Sequence, residues 1–258
     1  MGRVTASRLR WGALTWLLTL QFFAVEAFAQ ARYENSYSRA DDVISALGAA
    51  DSAARQAMNA SFVIQAALIL GGALLLRPAL NGAAGRAVLA LLGAAAAGVL
   101  LVGVFPTDGN ALVHATGAVL YLVGGGLGLI ALAYAVRPRS ELLGTALALL
   151  GLIGTAATVF FLTGVVDLLG EGGTERAAAY VLPIGLALAG AGLWRLGDAP
   201  DSEGPSRTEL RDRARAAREE TARQRDEALE AAARRGSGAA HDDPDTEDPW
   251  ATPPRRRD

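Results

Sequence analysis

What most limits the fold of this chain is an alternation of long apolar stretches that exclude charge with short connections that hold it. Six such stretches fall at about residues 11–29, 59–76, 87–105, 111–136, 142–169 and 177–196. A bilayer's hydrocarbon core is about 30 Å thick and an α-helix rises about 1.5 Å per residue, so roughly 20 apolar residues suffice to cross it. Inside lipid every backbone N–H and C=O must be satisfied by the segment itself or by neighbours, which a helix does. The expected fold class is therefore all-α: a polytopic membrane protein, a bundle of six transmembrane helices with a disordered charged C-terminal tail. Residues 1–10 form a basic N-terminus, 11–197 the membrane domain and 198–258 the tail. The chain has no cysteine, which removes disulfides, thiolate metal sites and cysteine nucleophiles.

The first stretch has two readings. Ala27-Phe28-Ala29 before Gln30 fits the small-x-small pattern of a signal-peptidase site, so the segment could be removed. Gln21 and Glu26 interrupt its apolar run, and polar residues recur at the same depth in later stretches, which favours retention as a span. The fifth stretch exceeds the bilayer and must tilt, kink or project.

Arginine placement sets the orientation, because cytoplasmic connections of membrane proteins carry an excess of basic residues. Arg3, Arg8 and Arg10 precede the first stretch, Arg77 and Arg86 flank the second connection, Arg137 and Arg139 the fourth, and Arg195 ends the sixth. The third-to-fourth turn has none and the fifth-to-sixth has Arg176 alone, while the 30–57 loop holds Arg32, Arg39 and Arg55 beside a slight acidic excess that the rule largely ignores. Both termini are expected in the cytoplasm of a cell membrane, with residues 30–57 and the Phe105 to Asn110 turn outside. Every basic residue is arginine, which with the Ala, Gly and Leu richness suggests a GC-rich bacterial genome.

Residues 30–57 are polar but space Val43, Ile44 and Leu47 helically, so they form either an amphipathic interfacial helix or a solvated loop. In the tail, Ser206 and Glu209 make a capping-box pattern and Glu219/Arg223 pairs at i,i+4, predicting a charged helix over 206–235. The remainder is rich in Gly, Pro, Asp and Arg around Trp250 and is expected to be disordered, with room for a cytoplasmic partner at Trp250 and Arg255 to Arg257. Neither part has the charge balance of a nucleic-acid binder.

Ionisable groups at membrane depth are costly unless paired or facing a cavity, so they are the candidate site residues. Glu26, Asn59, Asp108, His114 and Asp167 gather at the outer side of this topology. His114, Gly117, Tyr121, Gly124 and Gly128 share one helical face, and Gly124-x-x-x-Gly128 is a close-packing motif, so the histidine points into the bundle. Thr163 and Asp167 are likewise i,i+4. A His114, Asp108, Asp167 constellation could bind a metal, hold a water as general base or recognise a lipid head group. The bland alternative has His114 hydrogen-bonding the Pro106 turn and Asp167 in interfacial water.

Four motifs in order carry a resemblance. They are Tyr37-Ser38 followed by Asp42-Val-Ile-Ser45-Ala-Leu-Gly48; Met58-Asn59-Ala-Ser-Phe62; Gly103-Val-Phe-Pro106-Thr-Asp108; and His114-Ala-Thr-Gly-Ala118. With the six stretches they resemble the bacterial integral membrane family catalogued as domain of unknown function 998. The resemblance implies an uncleaved six-helix bundle and singles out Ser45, Gly48, Asn59, Asp108 and His114. It brings no reaction with it, and Ala46 stands where a family-like loop often has a carboxylate.

The expected function is thus that of an integral membrane protein whose outward-facing polar pocket binds a lipid or small ligand through Ser45, Asn59, Asp108, His114, Tyr121 and Asp167. The first alternative is a membrane-embedded metal- or water-dependent hydrolase using His114 with Asp108 and Asp167. A small-molecule transporter is the second, disfavoured because no inverted repeat and no mid-span charge is visible. No cofactor is strongly implied, and membrane lipids are the expected partners.

Overall fold

A computed structural model describes residues 6–34, 36–80, 82–198 and 207–239 of the chain. Most of these residues are helical, and among them there is no strand beyond an isolated bridge between Tyr33 and Ser52. The helices are α1 (Ala6–Leu17), α2 (Gln21–Gln30), α3 (Arg55–Leu76), α4 (Gly82–Val104), α5 (Ala111–Val136), α6 (Glu141–Thr163), α7 (Gly170–Ala179), α8 (Val181–Asp198) and α9 (Arg207–Ala239). α1 with α2 and α7 with α8 are nearly continuous, so six units are long and apolar enough to cross a membrane: 6–30, 55–79, 82–104, 111–136, 141–163 and 170–196. The protein is a polytopic helical membrane protein. Residues 1–200 and 201–258 form two separate units.

Local chemistry explains the boundaries. Asn110 caps α5, its side chain accepting from the Val113 N–H at 3.2 Å, and Ser140 caps α6 in the same way through Leu143. α6 ends at Thr163 because Gly164 adopts the left-handed conformation (φ 72°) that closes a helix C-terminus. The fifth apolar stretch therefore does not continue to Leu169. Thr163 and Asp167 do not share a helical face: the first ends α6 and the second lies in the following turn. The sixth span begins at Gly170, seven residues before the apolar run at Ala177.

Short connections make successive spans antiparallel, so the bundle has a loop end, bearing residues 31–54 and the 105–110 turn, and an opposite end. Close backbone approach holds α4 on α5: a Cβ on Gly98 would meet the Gly117 carbonyl oxygen at 2.5 Å, and one on Gly124 would meet that of Leu91 at 2.8 Å. Deep in the bundle Gln21 and Gln65 link the first two spans, the Gln21 amide donating to Gln65 at 3.3 Å while the Ser61 hydroxyl donates to Gln21 at 3.1 Å. Residues 31–54 contain no α-helix. A 3₁₀ turn at Ile44–Gly48 drives Ile44 and Leu47 into the bundle core, so these side chains neither float on a membrane surface nor sit in water. In the tail, α9 is a charged helix with Arg215 and Glu219 paired at 3.1 Å; Ser206 and Trp250 lie outside the described residues.

Candidate functional site

Two adjoining features occupy the loop end. The first is an ion pair inside the bundle. Glu26 on α2 is 1% exposed and Arg176 on α7 is 5% exposed, with Arg176 Nε donating to Glu26 Oε1 at 3.0 Å. A buried pair persists only when its remaining hydrogen-bonding capacity is met. Glu26 also accepts from Gln30 Nε2 at 3.0 Å and from the Tyr180 hydroxyl at 2.6 Å. One terminal nitrogen of Arg176 donates to the carbonyls of Arg39 and Asp42, both at 2.8 Å, and of Gly172 at 3.0 Å. The other donates to the Tyr37 hydroxyl, which itself donates to the Val43 carbonyl at 3.1 Å. Burial pushes the Tyr37 hydroxyl up to about 12, although the neighbouring guanidinium pulls it partly back, so it keeps its proton at neutral pH.

The glycines of α7 make this possible. A Cβ on Gly170 (φ 75°) would meet the Ala40 carbonyl oxygen at 2.2 Å, and one on Gly172 would meet that of Asp42 at 2.1 Å. Backbone of residues 40–42 therefore lies directly on the first turns of α7, within reach of Arg176. The Gly173 N–H donates to the Ala40 carbonyl at 2.9 Å, and Glu175 Oε2 accepts from the Ile44 N–H. The loop is thus tied to the sixth span by side chains and by backbone.

The second feature is a small cavity beneath the 44–48 turn, with a volume of about 30 Å³. That is room for one or two water molecules. Its apolar walls include Phe22, Phe62, Val99 and Leu122, and its polar lining is Ser45, His114, Tyr121 and Glu175. α4 ends before Pro106, which leaves the Phe105 carbonyl without a helical partner, and His114 Nδ1 lies 2.8 Å from it. A carbonyl only accepts, so Nδ1 carries a proton, and in the neutral ring Nε2 is then the acceptor. The Tyr121 hydroxyl donates to the Ala179 carbonyl at 3.2 Å. Pro183, with no N–H, leaves that carbonyl unclaimed four residues earlier. Ser45 Oγ, His114 Nε2 and Glu175 Oε1 make no hydrogen bond among the described residues.

Of the residues singled out by sequence, Ser45, His114 and Tyr121 meet at this cavity, and Asn59, Asp108 and Asp167 do not line it. Asn59 donates to the Gly48 carbonyl at 2.9 Å and braces the 44–48 turn from behind. Asp108 accepts from the Ala50 N–H at 3.0 Å and joins the two loop-end connections. Asp167 is exposed. Among the described residues no three His, Asp or Glu side chains are placed to hold a metal ion. Glu175 and Tyr180 escaped the sequence reading, which took Arg176 only as a loop charge and Tyr37 only as part of a family-like motif. The available signal was Gly170-Glu-Gly-Gly-Thr-Glu-Arg176, a charged run that continues the helical register of the sixth span toward the depth of Glu26.

A family model described as protein of unknown function (DUF998) matches residues 17–192. The chain belongs to the DUF998 family. The DUF998 match contains all of the ion pair, the pinned loop and the cavity lining, and leaves α9 outside. No curated protein and no solved structure matches the chain.

Proposed function

We propose that this membrane protein recognises the polar head of a lipid or small ligand at the cavity beneath the 44–48 turn. The observation that carries this is the convergence of three polar side chains, Ser45, His114 and Glu175, each with an unpartnered polar atom, on one otherwise apolar cavity. Buried polar groups are ordinarily satisfied by protein, and those left open at a cavity offer donors and acceptors to a guest. In the closed form the cavity fits only water, so a guest enters when the 44–48 turn lifts, and the Arg176 ties set how readily that happens. By the arginine distribution the loop end faces outward from the cell membrane and both termini are cytoplasmic. The first span is retained in the mature protein, since its Glu26 carboxylate neutralises Arg176.

A second reading, hydrolysis, draws on the same cavity. A water-sized space beside the His114 Nε2 lone pair suits a general base, with Glu175 in the partner role first assigned to Asp108 and Asp167.

Native mass spectrometry of the gently extracted full chain tests the binding reading. Wild type is expected to carry a stoichiometric small adduct that His114→Gln and Glu175→Gln each reduce about tenfold in occupancy, the scale of losing one charge-assisted or well-placed hydrogen bond. Equal adducts in all three proteins, at equal thermal stability, would remove the cavity from consideration.

A further inference from the structure

The opposite end of the bundle carries a separate feature. α6 is the least covered span: 28% of its central window is buried, against 39–61% in the other five. Gly144 packs closely against Arg137 of α5, and beyond that contact the small side chains Ala148 toward α5 and Ala146 toward α8 leave the flanks of α6 open. A groove of about 280 Å³ runs between α5 and α6, and one of about 460 Å³ between α6 and α8. Arg137 stands at the end of the first and Arg195 near the end of the second. The first extends from Arg137 back to Ile130, about two helical turns or roughly 10 Å into the apolar zone.

Both guanidiniums lack a side-chain partner among the described residues, and Glu141 at the same end is already engaged. Each groove therefore joins an uncompensated planar cation at the bundle end to an apolar channel at acyl-chain depth. Guanidinium matches phosphate oxygens in a fork geometry, and basic pockets between transmembrane helices select anionic lipid head groups. We propose that the two grooves flanking α6 are binding sites for an anionic phospholipid, its phosphodiester held by Arg137 or Arg195 and an acyl chain lying along α6.

The test is native mass spectrometry of the detergent-solubilised full chain titrated with dioleoyl phosphatidylglycerol, with dioleoyl phosphatidylcholine and glycerol 3-phosphate as comparison probes. Two phosphatidylglycerol adducts are expected, Arg137→Gln and Arg195→Gln each weakening one by about tenfold. Thr145→Trp, at an exposed position in the first groove, keeps Arg137 and still loses that adduct. His114→Gln, at the other end of the bundle, leaves both adducts in place. The proposal is overturned if phosphatidylcholine is held equally well, if the double arginine variant keeps both adducts, if Thr145→Trp has no effect, or if glycerol 3-phosphate binds as tightly as the lipid.

Discussion

Arg176 shows how one side chain can fix a loop, a helix end and a span together. Its N–H groups reach Glu26, Tyr37 and three backbone carbonyls, so few of its donors are left for water. Removing one member of such a buried pair leaves the other charge uncompensated in the bundle, at a cost of about 3–5 kcal/mol. Glu26→Ala is accordingly expected to lower thermal stability by that order in detergent, and the double variant Glu26→Ala/Arg176→Met to recover much of it. Equal melting of Glu26→Ala and wild type would mean that the pair is not formed. Sequence placed Glu26 at the end of the first span next to the 30–57 loop but did not find its partner, because the pairing spans 150 residues and no local pattern encodes it. His114 was legible in both respects: its apolar helical face placed it inward, and the adjacent Pro106 turn offered its hydrogen-bond acceptor.

Helical spans were legible because length and charge exclusion are properties of each segment alone. Their ends were less so. Val165, Val166, Leu168 and Leu169 extend the apolar run past α6, yet Gly164 stops the helix through backbone conformation. Conversely, Gly170 to Arg176 reads as a polar connection but is helical, with Glu175 accepting from the loop's Ile44 N–H and Arg176 donating to the loop's carbonyls and to Glu26. The apolar residues of the 30–57 segment suggested either an interfacial helix or a solvated loop; their burial comes from α7 glycines that admit the loop backbone, a tertiary effect. Gly172→Ala tests that packing. Its methyl would meet the Asp42 carbonyl oxygen at 2.1 Å, a backbone group that can yield only if the loop shifts. The expected destabilisation is about 1–3 kcal/mol, with faster amide hydrogen exchange across residues 38–48. Unchanged exchange there would show that the loop does not rest on α7.

At the scale of the whole molecule, the two ends of the bundle differ in chemistry. The loop end buries the Glu26–Arg176 pair beside a cavity with open polar valences, while the opposite end presents arginines at the margins of apolar grooves. As proposed, the loop-end cavity is a site that faces outward and is gated by the Arg176 ties. The absence of cysteine allows a clean measurement: Ser45→Cys in the intact cell, treated with a small membrane-impermeant thiol reagent. Slow labelling from outside is expected, because Ser45 is 8% exposed, with a severalfold acceleration when Arg176→Gln is added to loosen the loop. Labelling only after the cells are opened, or none even with Arg176→Gln in a protein that still folds, would contradict it.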